Sequence, residues 1–267
     1  MKTINNEFKQ RIKNIKNHYR SEIFKVKSEY KTELAKAKED RDGRVIDYYK
    51  ESGKHPPQNP PKRPILEEIG NAVTHGLGSL FSVVALILML IASNGFAELT
   101  SAIIYFVGLF LMFTMSCLYH AFPHGSAVKR LFRRFDYSGI YLLIGATFAP
   151  VLICYFGDAF GFSFFAIQWL IIAAGISLVG VFGPTRLAYV HVPMYVILGW
   201  SALALLPRMM ETHFSMAMWI LAGGVLYTLG IIPFLIKSKV SHFIWHFFVL
   251  AGAVSQWIGI YLYIYLI

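Results

Sequence analysis

Two histidines stand four residues apart in the run SHFIWHFF, residues 241–248, inside one of the most apolar parts of the chain. Imidazole is costly in such surroundings unless something answers its nitrogens. Residues i and i+4 share a helix face, so His242 and His246 point the same way. A second pair at this spacing, Ser116 and His120, closes the run SCLYH, and Asp136 in FDYSG opens a third apolar run. Three neutral imidazoles with one open position form the donor set of catalytic Zn2+, which lowers the pKa of its bound water to roughly 7. Asp136 would then accept a hydrogen bond from that water or act as general base. Ser116, one turn deeper than His120, would donate to the water or to a developing oxyanion.

Each piece alone has a plainer reading. A lone HxxxH pair in a membrane protein is often a packed or interface pair. Serine in a span commonly bonds its own backbone. Asp136 could cap a helix or pair with Arg133 or Arg134. His75 reads as a residue behind the ligands or in packing, and His124 as a reserve ligand. His191 and His213 read as interfacial, and Arg186 and Arg208 as topology or headgroup anchors. The two cysteines, Cys117 and Cys154, form neither a CxxC motif nor a disulfide framework.

The elements that must position these residues are helices in a membrane. Of the 267 residues 56% are hydrophobic, and the mean hydropathy is +0.52, the composition of a multispan membrane protein rather than a soluble domain. Seven apolar runs, near 69–93, 98–122, 136–156, 162–183, 188–207, 214–236 and 241–266, are each long enough to cross a bilayer as a helix. The expected fold class is an all-α seven-transmembrane bundle. Glycines such as Gly223, Gly224, Gly252 and Gly259 are expected to serve close helix packing. Trp257 and the tyrosines of 261–265 are expected to form an interfacial belt.

Basic residues orient this bundle. They crowd the N-terminal segment, the second-to-third connection (Lys129, Arg130, Arg133, Arg134), the fourth-to-fifth (Arg186) and the sixth-to-seventh (Lys237, Lys239), leaving Arg208 alone on the other side. The positive-inside rule therefore predicts a cytoplasmic N-terminus and an outside C-terminus. That orientation puts His120, His242, His246, Ser116 and Asp136 at about one depth, on three different helices, near the cytoplasmic face.

Ahead of the spans comes a soluble arm. Residues 1–66 hold 17 of the 25 Lys+Arg and 9 of the 15 Asp+Glu. Apolar residues recur from Ile4 to Ala37 in steps of 4, 4 and 3, an 11-residue period that predicts a nearly straight helix with one apolar stripe. Such a helix could lie on anionic headgroups, pair with copies of itself into a homo-oligomer, or remain a partly solvated, marginal helix. Gly43 weakens it, and the proline-rich run HPPQNPPKRP must end it. The division is thus 1–52 basic helical arm, 53–66 proline-rich linker and 67–267 membrane domain. No cleavable signal peptide is expected. The membrane part offers no basic face of the extent nucleic acid requires.

The ordered motifs EEIGNAVTHGLG, SCLYHAF, RRFDYSGIYLLIGATFAP and SHFIWHFFVLAGA resemble the hemolysin III family. This is the bacterial branch of the progestin and adipoQ receptor family, which includes the adiponectin receptors. The resemblance covers about residues 66–267. It implies a seven-span bundle in the plasma membrane, bacterial inner membrane for this branch, with an intramembrane zinc site near the cytoplasmic face. The family's ligands, one histidine of the second span and two of the seventh, match His120, His242 and His246; its serine and aspartate match Ser116 and Asp136. Kinship with alkaline ceramidases implies hydrolysis of lipid amides, with membrane lipids as substrate or bound partner. A receptor-like or membrane-homeostasis role with structural zinc is the alternative. The hemolysin label implies a pore, but the outer halves of the spans show no continuous polar stripe. The long basic arm departs from the usual bacterial member.

Overall fold

With no water inside a bilayer, a run of apolar residues must satisfy its own backbone, and the helix does so within one segment. The computed structural model describes residues 2–51, 59–236 and 238–267, all helix or short connection with no strand among them. Part of the expected linker, with His55, and Lys237 lie outside the described residues, as does the side chain of Ile4. The chain divides into two units, Met1–Pro57 and Gln58–Ile267.

The first unit is one helix, α1 (Lys2–Glu51), unbroken at Gly43. The second unit is a helical membrane domain. It comprises α2 (Ile65–Ala92), α3 (Phe96–Ala121), α4 (Ala127–Pro150, prolonged by a π-helical turn at Val151–Phe156) and α5 (Ala159–Phe182). Then follow α6 (Ala188–Trp200), α7 (Leu206–Thr212), α8 (Phe214–Leu235) and α9 (Ser241–Ile260, prolonged by a second π-helical turn at Tyr261–Tyr265). Six of these are long and apolar enough to cross a membrane; α6 with α7, bent by 41° at the break between them, is long and apolar enough only as a pair, for six to seven candidate crossings among the described residues. The break departs from the continuous fifth run expected over 188–207. Pro207 lies in the first turn of α7, where its missing N–H costs no helical hydrogen bond. A 3-10 turn, Ser201–Ala204, fills the gap.

Two further boundaries move. The third span starts at Ala127, well before the expected 136, because Ser126 caps α4 by accepting from Lys129 N at 3.1 Å. Asp136 therefore lies in the third turn of a helix and is not its N-cap. The first span starts at Ile65, which places Glu67 and Glu68 in its first turn.

Neighbouring helices approach closely through glycine. A Cβ at Gly108 on α3 would collide with Ala146 on α4, and one at Gly223 on α8 with Gln256 on α9. Gly224 does otherwise: only open space and the edge of Trp200 face it. Tyr105, Leu109, Phe113 and Leu152 fill the main core. Tyr265 does not join an interfacial belt. It turns inward, with its hydroxyl 2.7 Å from Ser101 Oγ and donating to the Glu98 carbonyl at 3.0 Å.

Candidate metal centre

His120 ends α3, while His242 and His246 occupy the first two turns of α9. One ligand atom from each lies within 4.8 Å of the other two. The ring centroids are 5.2 Å apart for His120–His242 and 4.8 Å for each of the other pairs. His120 and His246 are buried and His242 half-buried.

The contacts around His120 and His246 show which nitrogen of each is held. His120 Nδ1 lies 2.6 Å from Glu68 Oε2, with the Asn71 side-chain amide 3.3 Å away, and His120 Nε2 is buried with no partner. His246 Nδ1 lies 3.3 Å from the Asn71 carbonyl oxygen. A neutral imidazole carries one N–H and one lone pair, so an Nδ1–H held by an acceptor leaves the lone pair on Nε2. A ring anchored through one nitrogen to a carboxylate or carbonyl is the usual posture of a metal-ligating histidine. Donor atoms on tetrahedral Zn2+ stand about 3.4 Å apart, and the present donor atoms, within 4.8 Å of one another, are spread a little wider than that. The three residues thus fit a metal ion.

The anchors themselves come from the start of α2. Glu68 also meets Lys129 Nζ at 3.1 Å. Lys129 in turn donates to the carbonyls of Phe122 at 2.9 Å and of His120 at 3.4 Å, satisfying the C-terminal end of α3 with a cation. The sequence places Lys129 in an exposed basic connection; here it is only 1% exposed. The reason is that α4 begins early and carries it into the bundle against a carboxylate. Glu67 Oε1 accepts from His242 N at 3.3 Å, so α2 also caps the N-terminal end of α9. Sequence reading missed Glu67, Glu68, Asn71 and Lys129. The signal was present: two adjacent acids heading a strongly apolar run need a reason to be there.

Ser116 and Asp136 line a cavity of about 180 Å³ together with His75, His242 and His246. Ser116 Oγ is buried beside the Asp136 carboxylate. Arg133 and Arg134 donate to the carbonyls of Asn59 (3.3 Å) and Gly180 (2.9 Å). Away from the histidines the cavity wall turns apolar and aromatic, with Leu143, Phe148, Val196, Tyr227, Ile231 and Val249. Gly224 lines this wall, so the space at that glycine belongs to the cavity rather than to helix packing.

The remaining histidines separate cleanly. His75 stacks on His246, centroids 3.6 Å apart and planes 18° apart, with its edge on Phe113. His124 Nε2 donates to the Pro60 carbonyl at 3.1 Å, away from the cluster. His191 is fully buried, its Nδ1 2.9 Å from Tyr141 Oη, and is not interfacial. α6 turns it onto α4 instead. His213 lies at the other end of the bundle, beside Tyr155 and Tyr263. Both cysteines are free thiols.

Comparison with known proteins agrees with these features. A family model described as Haemolysin-III related matches residues 64–257. The chain is 35% identical over 208 residues to Hemolysin-3 of Bacillus cereus, covering 75% of this chain and 93% of that one. It is 33% identical over 204 residues to the Hemolysin-3 homolog of Bacillus subtilis (strain 168), covering 74% and 95%. More distantly, it is 27% identical over 205 residues to the human monocyte to macrophage differentiation factor, covering 74% and 85%. The matched range, residues 64–257, spans the four ordered motifs and the histidine cluster, and this chain belongs to the haemolysin-III-related family.

Proposed function

We propose that this protein is a plasma-membrane hydrolase of lipid amides or esters, with Zn2+ held by His120, His242 and His246 near the cytoplasmic face. One observation carries the reading. The buried, unpartnered Nε2 of His120 sits within a histidine trio whose other members border an apolar cavity. Zinc, when bound, supplies a Lewis acid that activates water at neutral pH.

The chain's own groups do the rest. Glu68 holds the proton on His120 Nδ1, and the Asn71 carbonyl holds that on His246 Nδ1, so both rings keep their orientation. Asp136 takes the proton from the attacking water. Ser116 Oγ, buried beside Asp136, donates to the oxyanion that develops on the substrate carbonyl. The apolar wall takes the acyl chain and excludes bulk water.

A second reading has its own support. His120 ends α3 and His242 opens α9, so an ion there would clasp two helix ends, as structural zinc does in a receptor-like or membrane-homeostasis protein. The test is release of fatty acid from ceramide, N-acyl and ester lipids by purified protein, with and without a chelator and with Asp136→Asn. Chelator-sensitive turnover lost in Asp136→Asn supports the hydrolase. Zinc that raises thermal stability while no lipid is cleaved supports the structural reading.

A further inference from the structure

The N-terminal unit carries a surface that the metal site leaves without a role. α1 is a single helix of 50 residues, about 75 Å long at the helical rise of 1.5 Å per residue. Its apolar side chains face solvent: Ile12 and Leu34 are 39% and 40% exposed, and Phe8, Tyr19 and Tyr30 are 63–64% exposed. They fall on one seam with an 11-residue repeat running from Ile4 to Ala37. A repeat of that length winds helices around one another with a right-handed supercoil.

The flanks of the seam decide what covers it. On an 11-residue wheel one flank carries Lys9, Lys16, Arg20, Lys27, Lys31 and Lys38. The other carries Glu7, Glu22, Glu29, Glu33 and Asp40, interrupted by Arg11, His18 and Arg44, the last paired with Asp40 at 2.7 Å. Basic residues thus do not crowd both sides. An anionic lipid surface would attract one edge of this helix and repel the other at the same depth. A second copy lying parallel and in register sets each basic edge against the partner's acidic edge, the device that fixes orientation in coiled coils. An antiparallel copy would face like charges with like.

We infer that α1 pairs with α1 of a second copy of this chain as a parallel, right-handed coiled coil, sealed by Lys/Arg–Glu/Asp edges. The full-length protein in detergent tests it by light scattering coupled to size exclusion. Wild type runs as at least two chains. The variants K16E/K27E/K38E and E22K/E29K/E33K, each of which sets like charges against one another at three places along the paired edges, run as monomers, and an equimolar mixture of the two regains the wild-type mass. Phe8→Cys in a Cys117→Ser/Cys154→Ser background forms a disulfide dimer, because position 8 meets itself only in a parallel pair. A monomeric wild type that sediments with phosphatidylserine vesicles overturns the inference in favour of a lipid surface. An assembly that survives both triple variants overturns it in favour of contacts elsewhere.

Discussion

The two ends of the membrane domain hold similar residue types and differ in what those residues do. Along α3, Glu98 and His120 stand at opposite ends, about 33 Å apart at 1.5 Å per residue. At the Glu98 end a cavity of about 400 Å³ is lined by Glu98, Cys154, Arg208 and His213. Every charge there is answered locally. Arg208 pairs with Asp158 at 2.7 Å and lies over the Phe156 ring, so it is no free headgroup anchor. Glu98 accepts from the backbone N–H groups of Asn94 and Gly95, closing the start of its own helix. At the His120 end, by contrast, one carboxylate and one carbonyl hold Nδ1 of His120 and of His246, and His120 Nε2 is left without a partner. Residue types alone do not mark a site; convergence of polar atoms that nothing nearby satisfies does.

The sharpest way to break this comparison is to remove a ligand. His120→Ala or His246→Ala should reduce zinc from one per chain to none by elemental analysis of purified protein, while Arg208→Ala at the other end leaves it unchanged. Next, Asp136→Asn should retain zinc yet lower lipid hydrolysis by roughly 10²–10⁴-fold, the usual contribution of a general base. Glu68→Gln should weaken zinc by about 10–100-fold in competition with a chromophoric chelator, the typical cost of losing a carboxylate behind a ligating histidine. Chelation of wild type should lower the Tm by roughly 5–10 °C, given the stabilisation expected from a ligand at about a hundred times its Kd.

The smallest effect belongs to the opposite end. The Arg208 hydrogen bond holds the exposed Asp158 carboxyl below its ordinary range. A depressed carboxylate supports the folded state above its unfolded pKa, about 3.9, and that support fades as pH falls below it. Asp158→Asn should therefore leave zinc content and turnover untouched and slightly flatten the acid limb of a Tm-against-pH profile. A large loss of zinc in this variant would erase the distinction between the two ends.

Much of this molecule was legible in the chain. The apolar runs show where helices cross, because a bilayer admits few other structures. The i, i+4 histidines show a shared face, because helix periodicity is local. The early start of α4 was less visible, since its first turns are basic and capped by Ser126 rather than apolar. A hydropathy reading begins such a helix late. The break between α6 and α7 was hidden in an uninterrupted apolar run, because the 3-10 turn at Ser201–Ala204 is as apolar as the helices it joins.

By itself, then, the amino-acid order determined the helices, their amphipathic faces and the residue types that could bind a metal, all of which depend on neighbours within one or two turns. Only the tertiary structure decided which nitrogen of His120 and of His246 a neighbour holds. Glu68 is 52 residues from His120, and Asn71 is 175 from His246. Those contacts follow from how α2, α3 and α9 pack, and packing across such separations leaves no local periodic trace.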